Sequence, residues 1–157
     1  MARKQWMAAL VALVFALTLP AADKPDFSGN WKLNAAKSDF GPMPPPDKWD
    51  VEVDHKDPSL KVKTTMANAQ MGERTNSVDY TTDGVEKTEG PGVSTVVWEG
   101  SLIVFKSTRK VNMQGEQVEI KSEEKWSLSE DGKTLTVDAM LTAPMGEFKM
   151  KRVLDKQ

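Results

Sequence analysis

Residues 118–128 read Val-Glu-Ile-Lys-Ser-Glu-Glu-Lys-Trp-Ser-Leu, and this stretch indicates the fold class more clearly than any other. Apolar side chains occupy alternate positions, and charged or polar ones stand between them. The apolar set is Val118, Ile120, Trp126 and Leu128. Period-two alternation is typical of a β-strand with one solvated and one buried face. Such a strand belongs to an antiparallel sheet whose buried face must be covered, which favours a barrel or a sandwich.

Two polar side chains, Ser122 and Glu124, share the parity of the apolar set. An inward carboxylate needs a cationic or hydrogen-bonding partner, because burying it alone is costly. A pair with Arg74 or Arg152 would hold the register of the sheet. An inward arginine left without such a partner, Arg109 included, could instead bind an anionic head group. The covered space is therefore expected to be partly polar or hollow.

The N-terminus has the pattern of a secretory signal peptide. Arg3 and Lys4 precede an apolar run over residues 7–19, which small residues and a polar segment follow. We predict a signal peptide over residues 1–22, with cleavage near Ala21 or Ala22, and a single domain over residues 23–157. An uncleaved export sequence is the alternative. The run is shorter than the roughly 20 residues of a spanning helix, so no stable membrane span is expected in the mature chain.

Composition excludes several functional classes. The chain has no cysteine, which removes disulfide frameworks, thiolate metal sites and thiol catalysis. It has 21 Lys and Arg against 23 Asp and Glu, and without Arg3 and Lys4 the balance is 19 against 23, a net charge of −4. These charges alternate along strands, so no nucleic-acid partner is expected. We predict no cofactor and no metal site, and the motifs of the common hydrolases are absent from the sequence.

Turn signals divide the rest of the chain into about ten short strands with hairpin-sized connections. The predicted strands are residues 29–34, 48–56, 59–66, 73–81, 85–88, 93–98, 101–110, 116–128, 133–142 and 147–154. Consecutive hairpins with one wet face favour an all-β, antiparallel up-and-down barrel of eight to ten strands, because closure removes exposed edges. An immunoglobulin-like sandwich is the rival, although its crossovers need longer connections.

One connection is longer than the rest and rich in proline. Residues 35–48 contain Gly-Pro-Met-Pro-Pro-Pro at 41–46, a stiff and extended segment without a core face. We predict that it forms a rim or lid of the barrel. A polyproline-recognition site is the alternative interpretation.

The first predicted strand carries a recognisable pattern, Phe27-Ser28-Gly29-Asn30-Trp31. This Phe-x-Gly-x-Trp motif resembles the lipocalin and fatty-acid-binding (calycin) superfamily. The resemblance implies a lipocalin-like barrel in which Gly29 and Trp31 are structural and a basic residue of the last strand, Arg152, packs over Trp31. The stretches at residues 26–34 and 131–137 are also similar to small exported lipocalin-like proteins of bacteria.

Parity identifies the side chains that we expect to bind a ligand inside the barrel. Their polar groups would fix the polar end of the ligand, and their aromatic faces would contact its apolar part. The predicted ligand-binding residues are Arg74, Asn76, Tyr80, Glu124, Trp126 and Arg152. His55, the single histidine, is predicted to be a hydrogen-bonded rim residue, and the alternative of a haem ligand has no supporting motif.

The sequence supports two functional hypotheses from different classes. The first is a non-catalytic periplasmic or secreted protein that holds a small hydrophobic or amphipathic ligand in the barrel. The second is a structural or protein-interaction module of the cell envelope with a filled barrel and a protein partner. A cavity of about 300 Å³ or more would favour the first.

Overall fold

The computed structural model describes residues 24–157, so the predicted signal peptide lies outside the described residues. Within this range, one 3-10 turn (Ala35–Lys37) and ten strands are present. The strands are β1 (Gly29–Leu33), β2 (Lys48–Lys56), β3 (Ser59–Asn68), β4 (Gly72–Thr81), β5 (Lys87–Glu89), β6 (Gly92–Glu99), β7 (Leu102–Met113), β8 (Glu116–Leu128), β9 (Thr134–Ala143) and β10 (Gly146–Lys156). No helix in the described part of the chain combines the length and apolarity needed to cross a membrane.

The strands form one antiparallel sheet that curls into a nearly closed barrel. Its order is β4-β3-β2-β1-β10-β9-β8-β7-β6-β5, so consecutive strands are paired except β4 and β5, and β1 also pairs with β10. The pairing of the first strand with the last excludes the sandwich. The predicted all-β, up-and-down barrel is confirmed, and its ten strands fall within the predicted number.

The sheet is interrupted between β4 and β5, where a few contacts replace a ladder. Asp83 bridges to Val97, and the Gly84 amide donates to the Val96 carbonyl at 2.9 Å. A polar cluster, the Asp57 clasp, reinforces this closure. The Asp57 carboxylate accepts hydrogen bonds from the Thr82 hydroxyl, from Trp98 Nε1 at 2.7 Å and from Lys24 Nζ at 2.9 Å. The clasp therefore links the turn after β2 to the end of β4 and to β6.

The two ends of the barrel differ in their connections. The end that holds Phe27 and the 57–58 turn, here the closed end, also carries links 82–86, 100–101 and 129–133. The opposite, open end carries links 34–47, 69–71, 90–91, 114–115 and 144–145.

Buried side chains concentrate toward the closed end. The core comprises Phe27, Trp31, Val51, Val53, Leu60, Val62, Val96, Ile103, Trp126, Leu135, Val137 and Leu154. Toward the open end the same inward positions carry Arg74, Asn76, Ser107 and Ser122. Polar side chains do not pack into a dry core, so the barrel is filled at one end only. The inward Ser122 is satisfied by Ser107, whose hydroxyl lies at 2.7 Å.

The cation over Trp31 is Lys156, so the predicted contact between Arg152 and Trp31 is wrong. The register of β1 and β10 places Trp31 opposite Lys156, and the lysine ammonium lies 5.2 Å from the indole centroid. Arg152 lies four residues before Lys156 in β10, a distance of about 13 Å along the strand. Gly29 leaves room for the lysine, because a Cβ there would lie 2.7 Å from Lys156 Cε. Its φ of +145° is also a conformation that favours glycine.

The stretch with which the sequence argument began forms β8, as predicted. Trp126 is buried, whereas Val118 and Ile120 are only half-buried. Residues 110–120 form a hairpin tip that extends beyond the ladders of β6 and β9, so no strand flanks it. The predicted burial is therefore confirmed for Trp126 in the barrel wall and only in part for Val118 and Ile120 in the hairpin tip.

The proline-rich link follows a defined path. The Asn34 side chain caps the short turn by accepting from the Lys37 amide, and Asp39 then pairs with Lys151 through two hydrogen bonds of 2.7 Å. This pairing extends the β10 ladder beyond the end of β1. Residues 40–47 lead from there to the start of β2.

Candidate functional site

The part of the barrel above the core contains a cavity of about 610 Å³. Strands from all round the barrel contribute to it, and its walls combine apolar and polar groups. The apolar walls are formed by Val51, Val62, Leu135, Val137 and Leu154. A cavity of this size falls within the range of small-molecule binding sites in proteins.

All six side chains predicted to bind a ligand line this one cavity. Three come from β4, two from β8 and one from β10, so residues distant in sequence meet through the closure of the barrel. Arg74 and Asn76 are exposed at the open end, Tyr80 and Glu124 are half-buried, and Trp126 and Arg152 are buried. Their role in binding remains a prediction.

Arg152 and Glu124 form an ion pair on the cavity wall. An arginine nitrogen lies 2.6 Å from Glu124 Oε1, and Trp126 Nε1 donates to Glu124 Oε2 at 3.3 Å. The guanidinium also lies over the ring of Trp49, 4.5 Å from its centroid. Carboxylate and indole thus compensate the buried arginine, and the predicted pair of Glu124 with Arg152 is present. Arg152 is therefore engaged by the protein itself.

Three aromatic rings form a row along one side of the cavity. Tyr80 meets Phe105 edge to face at 5.4 Å, and Phe105 tilts against Trp126 at 4.7 Å. Burial raises the pKa of Tyr80 to about 12, and the negative charges of Glu89 and Glu124 add to the increase. Its hydroxyl therefore stays protonated well into the alkaline range. The row presents a continuous aromatic wall whose rings are tilted against one another, with the Tyr80 hydroxyl at one end.

Two arginines line the cavity without a carboxylate partner. Arg74 and Arg109 make neither an ion pair nor a side-chain hydrogen bond within residues 24–157, although both border the cavity. Both lie toward the open end, where solvent hydrates the charge. They are the groups through which the cavity can bind an anion bidentately.

The cavity continues into two adjoining spaces of different chemistry. A polar space of about 310 Å³ lies at the gap between β4 and β5 and shares Asn76, Tyr80 and Arg109 with the cavity. An apolar space of about 440 Å³ lies against the proline-rich link and shares Trp49 and Arg152. The walls added by that link are Phe40, Met43, Pro44, Pro45 and Pro46. One molecule could therefore meet polar groups at one end and apolar groups at the other.

A comparison with solved structures detects the same architecture in the zebrafish ileal bile acid-binding protein, crystallised with cholic acid. The two chains are 14% identical, superpose with a TM-score of 0.51, and align over 83% of this chain and 98% of that chain. This barrel has a fatty-acid-binding-like fold. At such low identity the likeness shows the fold alone. No protein-family model and no curated protein matches the sequence.

The predicted calycin-type fold is thus confirmed. The bacterial and exported character implied by the sequence remains a prediction, because the comparison does not test it. The proline-rich link occupies the connection between β1 and β2 as a wall of the apolar space.

His55 lies at the closed end, outside the cavity. Its Nδ1 accepts a hydrogen bond from the Phe27 amide at 3.3 Å, and its ring packs against Trp98 at 5.6 Å. The residue is buried and is not among the side chains that line the cavity. The haem-ligand alternative has no support from this position. Within residues 24–157, no three His, Asp or Glu side chains converge as a metal site would require.

The cavity lining also includes residues outside the six predicted ones, and two of these, Phe105 and Arg109, complete the aromatic row and the pair of arginines described above. Both lie on β7 with the parity of the buried Ile103. Their parity therefore indicated an inward direction, but the apolar Val104 at the opposite parity interrupts the alternation of apolar and polar residues. Val104 is itself fully buried, so both faces of β7 look apolar at this point in the sequence.

Proposed function

We propose that the protein is a non-catalytic binding protein that holds a small amphipathic molecule in the barrel cavity. The anionic or polar end of the ligand lies near Arg74 and Arg109, and its apolar part lies toward the aromatic row and the proline-rich link. The observation that carries the proposal is the combination of a hollow, largely apolar interior with two arginines that no carboxylate of residues 24–157 neutralises.

The charges of the cavity support an anionic rather than a cationic head group. Glu124 is the acidic side chain among the lining residues, and it is already paired with Arg152. Arg74 and Arg109 then leave an excess of positive charge inside the cavity. A carboxylate, sulfate or phosphate ester would complement that charge through two parallel hydrogen bonds.

Competition binding tests this assignment. Dodecanoate and dodecanol would each displace an environment-sensitive fatty-acid probe, and they differ only in the charge of the head group. Arg74→Gln and Arg109→Gln are each expected to weaken dodecanoate about tenfold, the value of one charge-assisted hydrogen bond, and to leave dodecanol nearly unchanged. Lys110→Gln, on the outward face beside Arg109, is the matched control. Absence of saturable binding by either ligand would reject the proposal.

The cavity volume supports ligand binding over the alternative of an envelope interaction module with a filled barrel. The interior of about 610 Å³ exceeds the roughly 300 Å³ that separates the two hypotheses. Export to the periplasm or the medium is part of the proposal and depends on residues 1–22. The intact mass of protein isolated from its own cells would show whether the chain begins after Ala21 or Ala22.

A further inference from the structure

The open end of the barrel carries exposed methionines on most of its links. Within residues 24–157, six large apolar side chains are exposed, and four of them are methionines at or beside the open-end links. They are Met43, Met71, Met113 and Met145, with exposed fractions of 42%, 54%, 41% and 75%. We call this set the methionine rim. Four of the five open-end links thus present a flexible apolar side chain to the surroundings.

The tips that carry the rim are also uncharged. Links 69–71, 90–91, 114–115 and 144–145 read Ala-Gln-Met, Gly-Pro, Gln-Gly and Pro-Met, and residues 40–46 of the long link contain no charge. The closed-end links differ, because links 82–86 and 129–133 contain Asp83, Glu86, Glu130, Asp131 and Lys133. Both sets of links are exposed to solvent, so exposure alone does not explain the difference.

The β7–β8 hairpin extends this apolar character outward. Its tip projects beyond the neighbouring strands, and Val111 and Val118 form a half-buried cross-strand pair behind Met113. Charged residues resume just behind the tips, at Glu73, Glu116 and Glu147. Apolar tips backed by charges match the polarity profile of a lipid interface, with tips at the acyl boundary and charges among the head groups.

We propose that the methionine rim docks the open end of the barrel on an electrically neutral lipid surface. The rim side chains stand on separate links rather than on one continuous face. A fluid lipid layer can close round separate tips, whereas a protein partner would need a complementary rigid surface. Charges of both signs stand behind the tips, with Glu73, Glu116 and Glu147 near Arg74, Arg109 and Lys110, so neither an anionic nor a cationic surface is favoured. The mouth of the cavity would then face the lipid, from which a poorly soluble molecule could enter without crossing water.

Vesicle partitioning tests the role of the rim. A triple variant, Met71→Gln, Met113→Gln and Met145→Gln, keeps side-chain size and removes apolar area. We expect the partition coefficient on phosphatidylcholine vesicles to fall at least about tenfold, because interfacial binding scales with the apolar area buried. Val85→Thr is the matched control, since Val85 is 62% exposed on a closed-end link. Unchanged partitioning of the triple variant would overturn the proposal, and so would binding that requires anionic lipid.

A site-specific probe locates the contact. The chain has no cysteine, so Gln114→Cys at the rim or Ser101→Cys at the closed end creates a unique labelling site. With a polarity-sensitive dye, vesicles should shift the emission of the Gln114→Cys protein to the blue and leave the Ser101→Cys protein unchanged. A shift at the closed end alone would indicate binding through residues 1–22 or that end, and would overturn the proposal.

The outcome is independent of ligand binding. If the protein binds vesicles but not the fatty-acid probe, the proposed function is rejected and docking through the methionine rim is retained. If it binds the probe but not vesicles, docking is rejected and the proposed function is retained. Sedimentation of the protein without lipid measures whether the rim instead joins two copies of the chain. Rim-dependent dimers would assign these methionines to a contact between two copies of the chain and would overturn docking on lipid.

Discussion

At the scale of single residues, one ion pair decides which arginine can serve a ligand. Glu124 neutralises Arg152, and Trp49 covers the guanidinium face. Arg152 would otherwise be a buried, uncompensated charge, because its side chain is only 8% exposed. The pair therefore belongs to the framework of the barrel, and the arginines nearer the open end remain available.

Removing one partner of this pair should destabilise the fold. Glu124→Gln leaves Arg152 buried without a counter-charge, and we expect the free energy of unfolding to fall by about 1–3 kcal/mol in urea titrations. The loss stays below that of a fully buried pair, because the Glu124 side chain is 30% exposed. Glu123→Gln, on the outward face, should change stability by no more than about 0.5 kcal/mol. Equal effects of the two variants would contradict the structural role of the pair.

At the scale of elements, the Asp57 clasp holds strands together at the one place where the described sheet lacks a ladder of backbone hydrogen bonds. It joins the turn after β2 to the end of β4 and to β6, across the interruption in the strand order. Hydrogen bonds from Thr82, Trp98 and Lys24 hold the pKa of the Asp57 carboxyl well below its ordinary value. The folded state therefore prefers the ionised carboxylate.

The clasp predicts a defined pH dependence. Because the pKa of Asp57 is lower in the folded state, its contribution is present above the ordinary value of 3.8 and is lost as pH falls toward the folded-state pKa. Asp57→Asn should lower stability by roughly 1 kcal/mol at pH 7, a modest value because the site is partly exposed. That difference should shrink steadily in urea titrations as pH falls below 3.8. Asp54→Asn, on the outward face of β2, is the control, and a pH-independent difference would argue against the clasp.

At the scale of the whole molecule, the barrel is packed at one end and hollow at the other. Closed-end positions carry Val, Leu, Ile and Trp, whereas the equivalent inward positions of the same strands become Thr, Asn, Arg and Ser toward the open end. Stability and the proposed binding are therefore assigned to different halves of one interior. A substitution in the hollow half should affect binding with little effect on folding.

Filling the cavity separates these two properties. Thr64 lines the cavity on β3, so Thr64→Trp places an indole in the space that a ligand would occupy. We expect probe affinity to fall at least about tenfold, while the free energy of unfolding changes by less than about 1.5 kcal/mol. Thr65→Trp, one residue further on the outward face, should leave probe binding intact. Equal binding by both variants would show that the ligand binds outside the barrel.

Much of the architecture follows from local patterns. Turn residues and alternation predict strands at all ten observed positions, because each hairpin is decided by a few neighbouring residues. The same parity brings Arg74, Glu124 and Arg152 to one interior. Lys156 as the partner of Trp31 does not follow in this way, because that contact depends on the register between the first strand and the last.

The amino-acid sequence by itself determined the strands and, except on β7 where both faces are apolar, the side chains that point into the barrel, because side-chain direction in a strand alternates with a period of two. Tertiary structure decided which of those side chains meet, how far the interior is filled, and which arginines remain without a carboxylate. These properties depend on the relative positions of strands far apart in sequence, such as the first and the last, where Trp31 meets Lys156. Barrel closure and strand register set those positions, and neither can be read from the residues within one strand or turn.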